Sequence, residues 1–184
     1  YLVTPPPRPE GHADDLWAAL RDGTLELVST DHCPYTSAQK AAANDFFQTP
    51  NGAPGIENRL EVMFELGVRQ GRLDLPRLVE LLATRPAQLF GLAPQKGEIA
   101  PGADADIVIF DPDCPRTITA AEQVSLSDYS LYEGMEVRGS VRDVIFGGER
   151  IVRDRAFVGR PDGGRFVARQ RFATPSAAGA IGAA

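Results

Sequence analysis

The chain of 184 residues is 43% hydrophobic and 24% charged, with a formal net charge of −6 and a pI near 5.0. That length can bury a core in one domain or two small ones. An acidic balance without a basic stripe argues against a nucleic-acid partner, and no apolar run approaches the roughly 18 residues of a membrane span. Two cysteines, Cys33 and Cys114, are too few for a disulfide framework, so reduced thiols in the cytoplasm are expected.

Residues 1–35 read as two short apolar runs flanking a helix. The chain opens on Tyr1-Leu2-Val3-Thr4, strand-like and without a preceding methionine, which reads as a piece of a longer chain. Leu16, Trp17 and Leu20 mark a helix, with Asp14 and Asp15 near its start, where acids suit the dipole, and Gly23 as its stop. The second run is Leu25–Thr30. Strand, helix and strand within about thirty residues is the size of a βαβ unit with a parallel sheet.

Residues 36–92 read as a loop and then helices. Thr49-Pro50-Asn51-Gly52-Ala53-Pro54-Gly55 is too rich in Gly and Pro for regular structure. A helical stripe runs from Ile56 through Leu60, Met63 and Phe64 to Gly67. A second helix starts at Asp74 as N-cap with Pro76 in its first turn, and Leu78, Val79 and Leu82 face inward. Thr84 and Pro86 open a third, which Gly91 closes.

Residues 95–167 change to short strands and turns. Ile107-Val108-Ile109-Phe110 is apolar on both faces and suits a buried strand. Val144–Phe146, Gly147-Gly148 and Glu149–Val152 spell a hairpin, because Gly-Gly tolerates positive φ at both turn positions. From Thr174 the chain is Ala, Gly, Ser and Pro and reads as disordered.

Among residues able to carry chemistry, Asp31 follows an apolar run at what would be the C-terminal end of a strand. In a (β/α)₈ barrel that end holds catalytic groups, and a carboxylate there can bind a cation or move a proton. An Asp capping a turn is the competing reading. His32 and Cys33 adjoin it, but neighbouring strand residues point to opposite faces and cannot easily converge on one ion. His12 should face solvent. With two histidines in the chain, a complete catalytic zinc site is not expected. Cys33 reads as a buried structural cysteine and Cys114 as a turn residue. Asn51 could turn an amide group toward a ligand, or simply make a turn with Gly52.

Ser29-Thr30-Asp31-His32-Cys33-Pro34-Tyr35 resembles the segment that ends the eighth barrel strand in the dihydropyrimidinase and D-hydantoinase family of amidohydrolases. Tyr1-Leu2-Val3-Thr4-Pro5-Pro6 with Arg8 looks like its seventh-strand segment, where serine more often stands at the place of Thr4. Ala38-Gln39-Lys40, Asp45-Phe46 and Pro50–Arg59 match the loop and helix that follow. Lys96–Val108 looks like the strand pair by which amidohydrolases return to their β-sandwich. Asp128–Met135 and Gly164-Arg165-Phe166 are further family-like runs. These collinear matches cover residues 1 to about 167.

The resemblance implies an α/β fold: the C-terminal strands and helices of a (β/α)₈ TIM-type barrel in 1–92, part of a small β-sandwich in 93–167 and a disordered tail in 168–184. It implies hydrolysis of a ring amide in a small cyclic amide or ureide, a dihydropyrimidine or a 5-substituted hydantoin. It further implies two divalent metal ions, commonly zinc, bridged by the hydroxide that attacks the ring carbonyl. Asp31 would bind one metal, take the hydroxide's proton and pass it to the leaving ring nitrogen, which leaves poorly unless protonated. Thr4 and Asn51 would hold the substrate's amide edge, largely through backbone groups, which would let Thr replace Ser at position 4. The family's other ligands, four histidines and a carboxylated lysine, come from earlier strands and have no counterpart here. The 184 residues alone are therefore expected to bind no metal pair and to be inactive, and the full-length protein to be a cytoplasmic homotetramer. Two rival readings are a non-catalytic dihydropyrimidinase-like scaffold and a sister hydrolase of the allantoinase or dihydroorotase type. Thr30-Asp31-His32 and Asn51-Gly52 favour an enzyme over the scaffold; Cys33-Pro34 and the Tyr132-Glu133-Gly134-Met135 run favour dihydropyrimidinases over the sister enzymes.

Overall fold

The computed structural model describes residues 2–160 and 162–170. Tyr1 and most of the expected tail, 171–184, lie outside the described residues. The elements in order are α1 (His12–Asp22), α2 (Ser37–Ala41), α3 (Arg59–Met63), α4 (Leu75–Val79) and α5 (Arg85–Leu89), then strands β1 (Ile107–Thr117), β2 (Glu136–Phe146), β3 (Glu149–Arg153) and β4 (Ala156–Phe157).

The helices follow the apolar stripes, with corrections. α1 carries Asp14 and Asp15 in its first turn and ends at Gly23, as its sequence implies. α3 runs on into a wide π-turn, Phe64–Arg69. Asp74 caps α4 by accepting the Arg77 N–H at 2.8 Å, and Pro76 sits in the first turn, where its missing N–H costs nothing. Val79, expected inward, is 51% exposed, while Leu81 is fully buried. Leu78 and Leu81, three residues apart, share the buried face, and the residue after Leu78 is turned away from it.

The expected break before Pro86 is absent as well. Thr84 and Arg85 keep helical dihedrals, and a π-turn over Glu80–Thr84 joins α4 to α5. Pro86 cannot donate to a carbonyl in the preceding turn, and the widened turn lets the chain pass through it without ending the helix.

The strands form one antiparallel sheet in the order β1-β2-β3-β4. The hairpin between β2 and β3 turns at Gly147 and Gly148, whose φ values of 58° and 85° are the left-handed pair that two adjacent glycines allow. β1 is less buried than its apolar run suggests, since Val108 is 51% exposed. Cys114 is a half-buried residue of β1, not of a free turn; it lies where the register with β2 shifts between Asp111 and Pro115. Of the expected strand pair in 96–108, the second strand is present. The first is a loop fixed by charge: Lys96 bonds Asp104 at 2.8 Å and also Asp106, and Arg165 grips both Asp104 oxygens at 2.7 and 2.8 Å.

The runs at Leu2–Thr4 and Leu25–Thr30 do not form strands. A strand is defined by a neighbour, and among the described residues the pairing nearby is a single parallel bridge, His32 to Ala53. The expected parallel βαβ unit is thus represented by its helix, with flanks that bond to later segments, Thr4 to Asn51 and Val28 to Leu81.

Two apolar clusters place the sheet on the helices. Leu20, Met63, Phe64, Leu73, Leu78 and Leu81 form the larger, with Phe110 of β1 packed against it. Phe64 and Phe110 meet edge to face at 4.8 Å between ring centres. Val62, Ile118 and Val137 form the second. α3 and its π-turn are therefore shared by helices and sheet. Each fully buried Leu contributes on the order of 1.5–3 kcal/mol, so Leu78 and Leu81 are principal anchors.

Candidate functional site

The segment 50–56, irregular as its prolines and glycines require, is held from four sides. On one side stands Thr4. Asn51 Nδ2 donates to Thr4 Oγ1 at 2.8 Å, and the Thr4 N–H donates to the Asn51 carbonyl at 3.1 Å. Two residues singled out from sequence as gripping the same edge of a ligand are thus bonded to each other. Both are exposed, with their polar groups on the surface.

On the second side is the segment after Leu25–Thr30. The Cys33 N–H donates to the Ala53 carbonyl at 3.1 Å. His32 Nδ1 accepts the N–H of Gly55 at 3.2 Å and that of Ile56 at 3.4 Å. That leaves Nε2 to carry the proton of the neutral ring. Gly52 lies so close to Cys33 that a side chain at this position would fall onto the Cys33 carbonyl oxygen and come within 2.7 Å of its Cβ. Cys33 itself is exposed, not the buried cysteine expected: the Gly52 backbone packs against it without covering it. The thiol reaches Tyr35, whose hydroxyl it holds above the ordinary phenol range through a hydrogen bond.

Asp31 immediately precedes this bridge. It is exposed and, among the described residues, its carboxylate engages no hydrogen bond or ion pair. Its neighbours His32 and Cys33 tie it to the Asn51 loop, but among the described residues no hydrogen bond joins Asp31 to Thr4 or Asn51 directly. His12 is exposed at the start of α1, as expected.

The third support is Lys40, on α2. That five-residue helix is too short to be stable by itself. It is held by a capping box in which Thr36 Oγ1 accepts the Gln39 N–H at 3.2 Å and Gln39 Oε1 accepts the Thr36 N–H at 2.8 Å. The Asp128 carboxylate accepts the Ser37 N–H at 2.7 Å. Lys40 Nζ donates to the carbonyls of Leu2 at 2.7 Å and Pro50 at 3.0 Å.

The fourth support comes from the segment before β2. The Tyr129 hydroxyl donates to the Gly52 carbonyl at 3.4 Å, and Ser127 Oγ donates to the Tyr35 carbonyl at 3.3 Å. Glu57 accepts the N–H groups of Val124 and Ser125 at 2.9 and 2.8 Å, and Gln123 donates to buried Asn58 at 3.0 Å. Lys40 and Tyr129 were not among the residues singled out from sequence. Each lies inside a family-like run, but nothing in its local pattern distinguishes it from a surface lysine or a core tyrosine.

The geometry can be set against a two-metal centre. Among the described residues, no group of three or more His, Cys, Asp and Glu side chains is placed to hold a metal ion. Asp31 is one available carboxylate, and the Nδ1 of His32 is taken up by backbone donors. A catalytic site takes about three protein ligands, so these residues do not by themselves fit one.

The Amidohydrolase family profile matches residues 7–151. The chain belongs to the Amidohydrolase family. Within it, the chain is 45% identical over 174 residues to a D-hydantoinase of Ralstonia pickettii, covering 94% of this chain and 38% of that protein. A D-hydantoinase of Rhizobium radiobacter is 44% identical over the same shares. The crystal structure of a dihydropyrimidinase from Brevibacillus agri NCHU1002 superposes with a TM-score of 0.92 at 45% identity, covering 95% of this chain and 38% of that one. This amidohydrolase chain therefore spans 38% of the length of the relatives it matches, and its α/β fold is that of the corresponding portion of the hydantoinase barrel enzymes. Among the described residues, no helix is long and apolar enough to cross a membrane.

Proposed function

We propose that the protein to which this chain belongs hydrolyses the ring amide of a small cyclic amide, a dihydropyrimidine or a 5-substituted hydantoin. The observation that carries the reading is the reciprocal Thr4–Asn51 link, set in one loop system with the unengaged carboxylate of Asp31. A ring amide offers a coplanar N–H and C=O edge. Thr4 and Asn51 are exposed, and the groups their link leaves over, the Thr4 hydroxyl hydrogen, the second Asn51 amide hydrogen and Asn51 Oδ1, supply the donors and acceptor that such an edge takes. Amide hydrolysis needs a proton removed from the attacking water and a proton delivered to the nitrogen that leaves. Asp31, exposed and without a competing partner, serves as base and then acid in turn. Likeness to D-hydantoinases and a dihydropyrimidinase supports this substrate class.

In the same reading, the full-length protein depends on two divalent metal ions, zinc foremost, with Asp31 the ligand that this chain supplies. The chain divides into a barrel portion, 1–92, and a sandwich portion, 93–167, and the full-length protein is a cytoplasmic homotetramer. Because the described residues do not complete a metal site, the 184 residues alone are proposed to be inactive.

The test is made on the full-length protein: metal content, and ring opening of dihydrouracil and of a 5-substituted hydantoin, with and without Asp31→Ala. About two metals per chain and turnover abolished in the variant are the expected results. A stable, metal-free oligomer that opens neither ring would overturn the reading in favour of a non-catalytic scaffold. Turnover of allantoin or dihydroorotate alone would move it to a sister hydrolase.

A further inference from the structure

We propose that Lys40 is a positioning residue of the substrate site, acting through the backbone on either side of the Thr4–Asn51 link. The inference rests on the function proposed above and adds a residue to it.

Lys40 Nζ reaches two carbonyls from segments far apart in sequence, those of Leu2 at 2.7 Å and Pro50 at 3.0 Å. Leu2 lies two residues before Thr4, and Pro50 immediately before Asn51. One ammonium group therefore ties together the backbones that carry the two ligand-gripping residues. An ammonium has three donors. Two are spent on these carbonyls, and Nζ also stands 5.9 Å from the centre of the Tyr129 ring, within range of a cation–π attraction.

The same ring closes the other flank. The Tyr129 hydroxyl donates to the Gly52 carbonyl, next to Asn51 on its C-terminal side. The carbonyls of Pro50, Asn51 and Gly52 thus each accept from a different donor: Lys40, the Thr4 N–H and Tyr129. A loop of Pro, Asn and Gly has no regular ladder to fix its peptide planes, so these three bonds define them. Lys40 is half-buried. Holding its flexible stem on two main-chain carbonyls from distant segments gives up side-chain freedom, and what it fixes is the orientation of those peptides.

The test uses the full-length protein, with initial rates of hydantoin ring opening measured against substrate concentration. Lys40→Met keeps the length of the aliphatic stem and removes the donors. The expected result is a KM raised about tenfold with kcat within about threefold of wild type, the loss of a charged donor falling on binding geometry. Lys40→Arg, which keeps charge and donors, should restore part of the difference. In a Thr4→Val background, Lys40→Met should raise KM by less than it does alone, because both changes act through one link.

A purely structural lysine gives another pattern: fewer active molecules, hence a lower apparent kcat, with KM unchanged. That result, or additive effects in the double variant, overturns the proposal. If Lys40→Met does not accumulate as folded protein, Lys40→Gln is read by the same split between KM and kcat, with the same two outcomes. A wild-type protein that opens no ring fails the functional reading itself, whereas an active wild type with an unaltered Lys40→Met KM fails this inference alone.

Discussion

Thr4 and Asn51, forty-seven residues apart in the chain, hold each other by two hydrogen bonds, one through the Thr4 hydroxyl at 2.8 Å and one through its N–H at 3.1 Å. The hydroxyl bond needs an oxygen at Cβ and nothing more. Thr4→Ser should leave KM within about twofold of wild type, while Thr4→Val, which keeps the shape and removes the acceptor, should raise it about two- to tenfold. Steady-state kinetics on the full-length protein checks both.

Gly52 tests whether the approach of the Asn51 loop to Cys33 matters. A Cβ there collides with the backbone carbonyl of Cys33, which is not the movable end of a side chain. Gly52→Ala should therefore push the loop away from the segment that carries Asp31, lowering kcat/KM at least about tenfold. A circular-dichroism melt should show a much smaller change in stability than substitution of a core leucine produces. Undiminished activity would mean that the loop can be displaced without consequence.

How much of this was legible in the sequence differs from element to element. The α1 stripe, the Asp74 cap and the Gly147-Gly148 hairpin were readable because each rests on local chemistry: a period, a cap oxygen, a pair of residues free at positive φ. Asp31, Thr4 and Asn51 could be named through a resemblance, and the bond between the last two could not be read from either segment alone. Local pattern misassigned Val79, because counting inward positions does not fix which neighbour of Leu78 the rest of the fold covers. It misassigned Cys33, since burial depends on where a distant loop packs. It broke the helix at Pro86, because a π-turn carries no composition of its own. Lys40 escaped notice for a related reason: its partners are main-chain carbonyls, which have no sequence signature.

Between helices and sheet, Arg116 Nη1 meets both oxygens of Glu61 at 2.8 and 2.7 Å, and Nη2 reaches Glu122 at 2.8 Å. The Glu61 side chain is 4% exposed and that of Arg116 13%. Burial acts to lower the Arg116 pKa, but the two carboxylates outweigh it and raise it, so the guanidinium stays charged. Arg116→Met leaves a carboxylate buried without its partner and should cost about 3–5 kcal/mol. Replacing both residues, Glu61→Gln with Arg116→Met, should cost less than the single change. Urea denaturation monitored by fluorescence measures the two.

The charged loop at 96–106 gives a pH dependence of defined sign. Hydrogen bonds from Lys96 and then Arg165 lower the Asp104 carboxyl from 3.8 to about 2. A carboxylate depressed on folding stabilises the protein above its ordinary pKa, and that contribution is lost as pH falls through the folded value. The melting temperature of wild type should exceed that of Asp104→Asn by a constant margin at neutral pH. The margin should shrink between about pH 4 and pH 2. A margin independent of pH across that interval would show that the ion pairs do not form.

The π-turn between α4 and α5 bears on how this region tolerates changes of length. An α-helix advances about 100° for every residue, whereas a π-turn, whose hydrogen bonds reach five residues on, takes up about one residue more per turn. Removing one residue from Glu80–Thr84 and letting the turn relax to α geometry would therefore leave Ala87, buried and lying against Gly97, close to its present phase relative to Leu78. Adding a residue to the neighbouring α-helical turns has no such outlet: it would rotate everything after it, and with Ala87 the path by which the chain leaves the helices for the sheet. The extra residue in Glu80–Thr84 is thus slack in the helix, which the segments on either side can lose without falling out of register.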